Sequence, residues 1–144
     1  MHKGFYASGF LYHPHSKQIL LQQFTPIANI LSPWLLFGGV GSGEENPGAI
    51  FQHAILELLH VKIDMVYPVY SYPYKDTDKS HFIVYSKIRK KENFSARNGV
   101  TFAWFSMRQI FRLPLSEQTQ HDITVGIRVI DAATRKRLGE HTFQ

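Results

Sequence analysis

GGVGSGEENPGAIFQHAILELLHV, residues Gly38–Val61, is the stretch from which the rest of the chain is read. Its first half is rich in glycine and ends in two glutamates, Glu44 and Glu45. Asn46 follows, and an asparagine side-chain oxygen can accept one of the free backbone N–H groups that open a helix. Pro47 suits the first helical position, where a missing N–H costs nothing. The order predicts a strand, a glycine turn and an amphipathic helix of about three to four turns. A turn that feeds a helix N-terminus gathers backbone N–H groups and the positive end of the helix dipole. Gly38 and Gly39 are therefore candidate phosphate-binding positions.

At about 100° per residue, Ile50, Ala54, Leu58 and Val61 share one side of this helix, with Phe51 and Ile55 beside them. His53, Glu57 and His60 form a polar stripe at i, i+4 and i+7. Such a stripe is either a solvated edge or an edge turned to a metal, since imidazole suits Zn²⁺ or Ni²⁺. His81, His121 and Asp122 are the groups elsewhere that would complete a metal site. Asp76, Asp78, Glu92 and Asp122 are the remaining acidic candidates, each read first as a surface charge.

The chain has 144 residues, 44% of them hydrophobic, enough to bury a core. It has no cysteine, which excludes a disulfide framework and thiolate chemistry, and a cytoplasmic setting is expected. The first residues, MHKGFYASGFLYH, lack a long apolar run, so neither a signal peptide nor a transmembrane span is expected. Without repeats, linkers or low-complexity tracts, residues 1–144 read as one domain. The net charge of +5 and a sequence pI near 9.5 favour anionic ligands, nucleotides included. The run Arg89–Arg97, RKKENFSAR, is too short for a nucleic-acid patch and reads as an exposed loop.

Alternation predicts strands over Gly4–His13 and Gln18–Phe24, joined as a hairpin by the turn at His13–Lys17. Thr25–Pro33 reads as irregular and Trp34–Gly38 as a short buried strand. Ile63–Tyr74 has β character but carries Pro68 and Pro73, which suits an edge or a bulged strand. Tyr70, Tyr72 and Tyr74 fall on one face of it at period two, as a half-exposed ladder or a place to stack a base. Lys75–Lys79 is a turn, and Ser80–Ile88 is a strand expected to pair with the preceding one. Gly99–Phe105 is the last strand. Ser106 and Gln109 form a capping-box pattern for a short helix ended by Leu113-Pro114. A final helix is expected from Ser116 or Thr119 to about Arg135, with Gly126 either weakening it slightly or allowing close packing, and with Gly139–Gln144 fraying.

In element order and in the central stretch, the chain resembles the Nudix hydrolase superfamily, whose box reads G-x5-E-x7-R-E-U-x-E-E-x-G-U, with U aliphatic. Gly39 opens the box and Glu45 keeps its loop glutamate. His53 stands at the Arg, Ala54 at the first helix Glu, Ile55 at U, Glu57 at the next Glu and Leu58 at the one after. His60 stands at the Gly and Val61 at the last U. Ala103–Ser106 leading into Met107–Leu113 is similar to the family's strand and short helix. The resemblance implies an α+β fold, a mixed sheet between helices in an α/β/α sandwich.

It also implies hydrolysis of a nucleoside diphosphate linked to another group, with Mg²⁺ or Mn²⁺ held by helix glutamates and a glycine carbonyl. Carried over residue by residue, Glu57 is the remaining metal carboxylate and Glu45 the loop brace, both placed with the catalytic residues. Gly39 offers its carbonyl and Glu44 an adjacent carboxylate to the metal. Gly38, Gly39, Tyr70 and Tyr72 are the substrate-binding candidates. His53 would pair with Glu45 in place of the family's Arg. Ala54 and Leu58 leave one helix carboxylate of three, so the resemblance implies a Nudix-type hydrolase with an eroded metal site, with a catalytically inactive nucleotide-binding or sensor/interaction domain as the alternative. Relatives of this kind often form homodimers.

Overall fold

The computed structural model describes residues 4–26, 32–74 and 76–142, the last three as backbone only. Residues 27–31 of the expected irregular segment, Lys75 of the expected turn and the end of the expected frayed tail, 143–144, lie outside the described residues. Strand β1 (Phe5–His13) turns back into β2 (Gln18–Phe24), and their register sets Leu11 against Leu20. The expected strand at Trp34 is two pieces: β3 (Trp34–Leu35) pairs with β2, and β4 (Phe37–Gly41) switches to β1. The break falls at Leu36, whose carbonyl accepts the Gln22 side-chain amide at 2.8 Å. Helix α1 (Pro47–Leu59) follows, then β5 (Tyr67–Pro73), β6 (Ser80–Lys87) and β7 (Val100–Ser106). Helices α2 (Met107–Ile110) and α3 (Glu117–Thr142) end the chain's described part.

The sheet order is β3-β2-β1-β6-β5, with β4 also on β1 and β7 also on β2. Strands β1 and β6 are parallel and the other pairs antiparallel, so the sheet is mixed. Period two sends alternate residues to opposite faces. Leu11, Leu20 and Val84 pack with Phe51, Ile55 and Leu59 of α1 on one face. Phe10, Tyr12, Ile19, Leu21 and Tyr85 pack with Ile110, Ile123 and Ile130 on the other. The result is the expected α/β/α sandwich. Among the described residues no helix is long and apolar enough to cross a membrane.

Local expectations are refined in four places. The buried face of α1 is Phe51, Ile55 and Leu59, about one residue round the wheel from the Ile50–Ala54–Leu58 side. Strand β5 begins only at Tyr67, because Ile63 is a core residue and its carbonyl accepts the Gln52 side-chain amide at 2.9 Å. It is an edge strand with a bulge between Pro68 and Tyr70, as its prolines imply. Helix α3 runs past Arg135 to Thr142, since Gly139 costs about 1 kcal/mol in a helix and residues 132–138 contain no breaker.

Gly126 does allow close packing. A Cβ there would lie 2.8 Å from the ring of the fully buried Phe10. Gly126→Val should therefore destabilise the fold by about 1–3 kcal/mol, read as a lower urea midpoint at an unchanged m-value.

Candidate functional site

The glycines of the central stretch are strand residues. Gly38, Gly39 and Gly41 pair with Ser8, Ala7 and Phe5 of β1, and the turn comes later, at Ser42–Glu45. This corrects the expected glycine turn, and the reason is steric. A Cβ on Gly38 would sit 1.9 Å from the Ala7 carbonyl oxygen, and one on Gly41 2.4 Å from the Phe5 ring. Gly39 is looser, with Ile50 at 3.4 Å from its ideal Cβ. The turn is braced by Glu45, whose Oε1 accepts the Ser42 N–H at 2.9 Å. That hydrogen bond, with help from the Ser42 hydroxyl, holds the Glu45 carboxyl below its usual range. Asn46 caps the helix as expected, accepting the Gly48 N–H at 2.7 Å.

Along the polar edge of α1, His53 Nε2 lies 2.9 Å from Glu57 Oε1, with both side chains about two-thirds exposed. His53 thus pairs with Glu57 one turn on, and the expected pair with Glu45 is not formed. His60 leaves the edge altogether. It takes a left-handed backbone (φ 57°), donates its N–H to Leu56 at 3.0 Å and meets Arg97 through its ring. The three side chains do not converge, which decides the stripe in favour of a solvated edge. Ala54 is half-buried, and Leu58 packs against the core.

Among the described residues no group of three or more His, Asp or Glu side chains is placed to hold a metal ion. No buried side-chain polar atom among them lacks a partner. Mg²⁺ needs several hard oxygen ligands around open water positions. Glu57, already paired and flanked by Ala54 and Leu58, does not supply such a set, so the residues present do not fit the metal that the resemblance implies. Asp76, Asp78 and Glu92 are exposed, as read from the sequence.

A second place gathers more chemistry. Gly38, Ser8, Leu36, Tyr72, Tyr74 and His81 face the first turns of α3 across a cleft of about 780 Å³. At its floor lies Asp122, only 2% exposed. Tyr70 donates to Asp122 Oδ1 at 2.5 Å, Gln118 Nε2 donates to the same oxygen at 2.8 Å, and Tyr72 donates to Oδ2 at 3.3 Å. Proton inventory extends the chain. Tyr72 gives its one proton to Asp122, so its oxygen accepts from His81 Nδ1 at 2.9 Å. His81 Nε2 then accepts from the Ser8 hydroxyl at 2.9 Å.

The network fixes the Tyr72 ring, and Tyr74 adds a second ring 5.7 Å from the His81 imidazole. Burial raises the pKa of Tyr70 and Tyr72, and the Asp122 charge raises both further. Burial lowers that of His81 against the opposing pull of Asp122. The cleft thus brings together two of the expected binding residues, Gly38 and Tyr72. Tyr70 touches it through Asp122 while lining the neighbouring groove beside α1, and Gly39 faces Ile50. Ser8 and Gln118 were not legible as site residues. Their signals were the shared face of Tyr70 and Tyr72 and the i, i+4 spacing of Gln118 and Asp122. His121 is exposed, 5.9 Å from the Tyr70 ring.

Because His81 is held neutral, the folded state resists a proton that the unfolded chain accepts below about pH 6.5. The His81 contribution is therefore complete above that pH and declines as pH falls toward the folded-state value. His81→Gln should flatten the fall in urea midpoint between pH 7.5 and 5.5. An equal fall in both proteins would remove the neutral imidazole from the network.

No family model matches the sequence, and no curated protein does. Solved structures do share its shape. A MutT from work on Aliivibrio salmonicida and Vibrio cholerae superposes with TM-score 0.68 at 11% identity, over 85% of this chain and 96% of that one. The Escherichia coli ORF135 protein gives 0.67 at 15%, over 92% and 94%. The NUDIX domain of Shewanella oneidensis NrtR, solved with ADP ribose, gives 0.62 at 14%, over 88% and 86%. At such identities the likeness is one of fold, and this chain has the Nudix fold.

Proposed function

We propose that this protein binds a nucleoside diphosphate joined to a further group, in the cleft between β4, β5 and α3, without metal-dependent hydrolysis. One observation carries the reading. The scaffold keeps the strand glycines and the cleft, while α1 presents a single carboxylate, Glu57, already engaged by His53 and flanked by Ala54 and Leu58. The hydrogen-bonded Tyr72 ring offers a fixed aromatic wall for a base. Gly38 brings the backbone of β4 to the cleft surface, where a diphosphate can approach closely. The ADP ribose held by the Shewanella NUDIX domain makes that compound the first probe.

The competing reading is hydrolysis through a rewired site, with Glu57 and Glu45 catalytic and Glu57, Glu44 and the Gly39 carbonyl on Mg²⁺ or Mn²⁺. It draws on the fold shared with a NUDIX hydrolase from Nitrosomonas europaea. The two readings part in one experiment. ADP ribose without metal should raise the melting temperature, as a ligand at 100 times its Kd stabilises by about 2.7 kcal/mol. Tyr72→Ala should abolish the shift and Glu57→Gln should keep it. A panel of nucleoside diphosphate derivatives with Mg²⁺ or Mn²⁺ should show no turnover. Metal-dependent product formation that Glu57→Gln eliminates would replace binding with hydrolysis.

A further inference from the structure

The far end of α3 carries a charge pattern that the nucleotide cleft does not use. Lys17 from the β1–β2 turn, Lys87 from the end of β6, and Arg135 and Arg137 from α3 line one groove of about 560 Å³. Its floor is Tyr12 and Ile130, and its single carboxylate is Asp131. Among the described residues none of the four cations forms an ion pair. From Asp122 in the cleft to Arg135 is thirteen residues of helix, about 20 Å at 1.5 Å per residue.

Lys87 also lines a second concavity of about 570 Å³, which adds Lys62, Arg89 and Lys90 against Asp64 and Glu92. The two grooves thus adjoin through one lysine. Together they hold seven of the chain's sixteen Lys and Arg residues and three of its eleven carboxylates. That leaves nine cations and eight carboxylates elsewhere, so nearly all of the +5 net charge sits here. Like charges around a low-dielectric concavity repel one another and focus a positive potential outward. An anion relieves that repulsion, and arginine guanidiniums match phosphate geometry bidentately.

We infer that these adjoining grooves bind single-stranded nucleic acid. Seven cations spread over two adjoining grooves suit a repeating phosphodiester, where one compact phosphate would engage only part of them. The second groove is also lined by two half-buried aromatic side chains, Tyr67 and Phe94, beside which bases can lie. Lys87 stands over the Tyr67 ring at 5.2 Å while that ring stacks on Tyr85, so a phosphate on Lys87 would lie next to the aromatic lining. The concave form favours a flexible strand over the convex surface of a duplex. Cations from the β1–β2 turn, β6, the following loop and α3 meet only in the folded chain. The short run Arg89–Arg97 therefore gave no sign of the track.

The test uses a fluorescein-labelled twelve-nucleotide oligo-dU with the full chain, read by fluorescence anisotropy. Saturable binding is expected, with a log–log salt slope of about −3 if four phosphates are neutralised. The double variant Lys87→Glu/Arg135→Glu should bind at least about tenfold more weakly, in line with that salt dependence, while its circular dichroism and melting temperature match the parent. Saturating ADP ribose should leave the oligonucleotide bound, which separates this track from the cleft. Absence of binding, indifference to the charge reversals, or equal affinity for inorganic polyphosphate or anionic vesicles would each overturn the inference.

Discussion

Strand β1 is hydrogen-bonded along both edges and buried on both faces, and that constraint places everything else. One edge is divided: β2 takes Leu11–His13 and β4 takes Phe5–Gly9. The other edge belongs to the parallel strand β6. Strand β4 can take its share only because Gly38 has no Cβ to strike the Ala7 carbonyl. The same row of β1 side chains that faces α3 then changes character along its length. Ser8 ends in the cleft, Phe10 packs against Gly126, and Tyr12 floors the basic groove. A polar end, an apolar middle and a charged end follow from one strand lying under one helix.

Burial of Asp122 is the electrostatic counterpart. An ionised carboxylate taken out of water costs several kcal/mol unless donors replace the lost hydration. Here Tyr70, Tyr72 and Gln118 replace it. The tyrosine hydroxyls are thereby committed, and what the cleft can use of Tyr72 is its ring. The wall that these bonds stiffen is aromatic. His81, neutral and bonded on both ring nitrogens, extends the network to β1 and ties the edge strand β5 to the centre of the sheet.

Much of the fold was legible because it rests on period and punctuation. The β1–β2 hairpin, the Asn46 cap, the Ser106–Gln109 capping box and the bulged edge strand all follow from local residue chemistry. Less could be read where neighbours in space decide. Glycines at 38, 39 and 41 look like a turn in sequence, but Gly38 and Gly41 serve the close approach of β4 to β1, a partner some thirty residues away. The end of α3 was placed too early because Gly139 weighs little in a long solvated helix. For the site, Gly38 was read from the expected glycine turn and Tyr72 from the strand pattern, whereas the donors around Asp122 come from β5 and α3 and meet only after folding. The pairing of His53 was expected with Glu45 from the resemblance, although spacing already offered Glu57 one turn on. The regular i, i+4 geometry of the helix favours Glu57.

The central stretch separates two kinds of constraint that a shared motif usually joins. Those that build the backbone persist. Glu45 braces the turn through Ser42, Asn46 caps the helix, and position 60 keeps a left-handed conformation even with a histidine. A left-handed non-glycine residue costs about 1–3 kcal/mol, offset here by its N–H bond to Leu56 and its contact with Arg97. Ala54 and Leu58 stand where the resemblance implies carboxylates. A helix edge bearing three carboxylates repels a diphosphate unless a divalent ion bridges them. With Glu57 alone on that edge and already paired to His53, α1 offers neither that repulsion nor that bridge, and it stands apart from the cleft, whose lining includes no α1 residue.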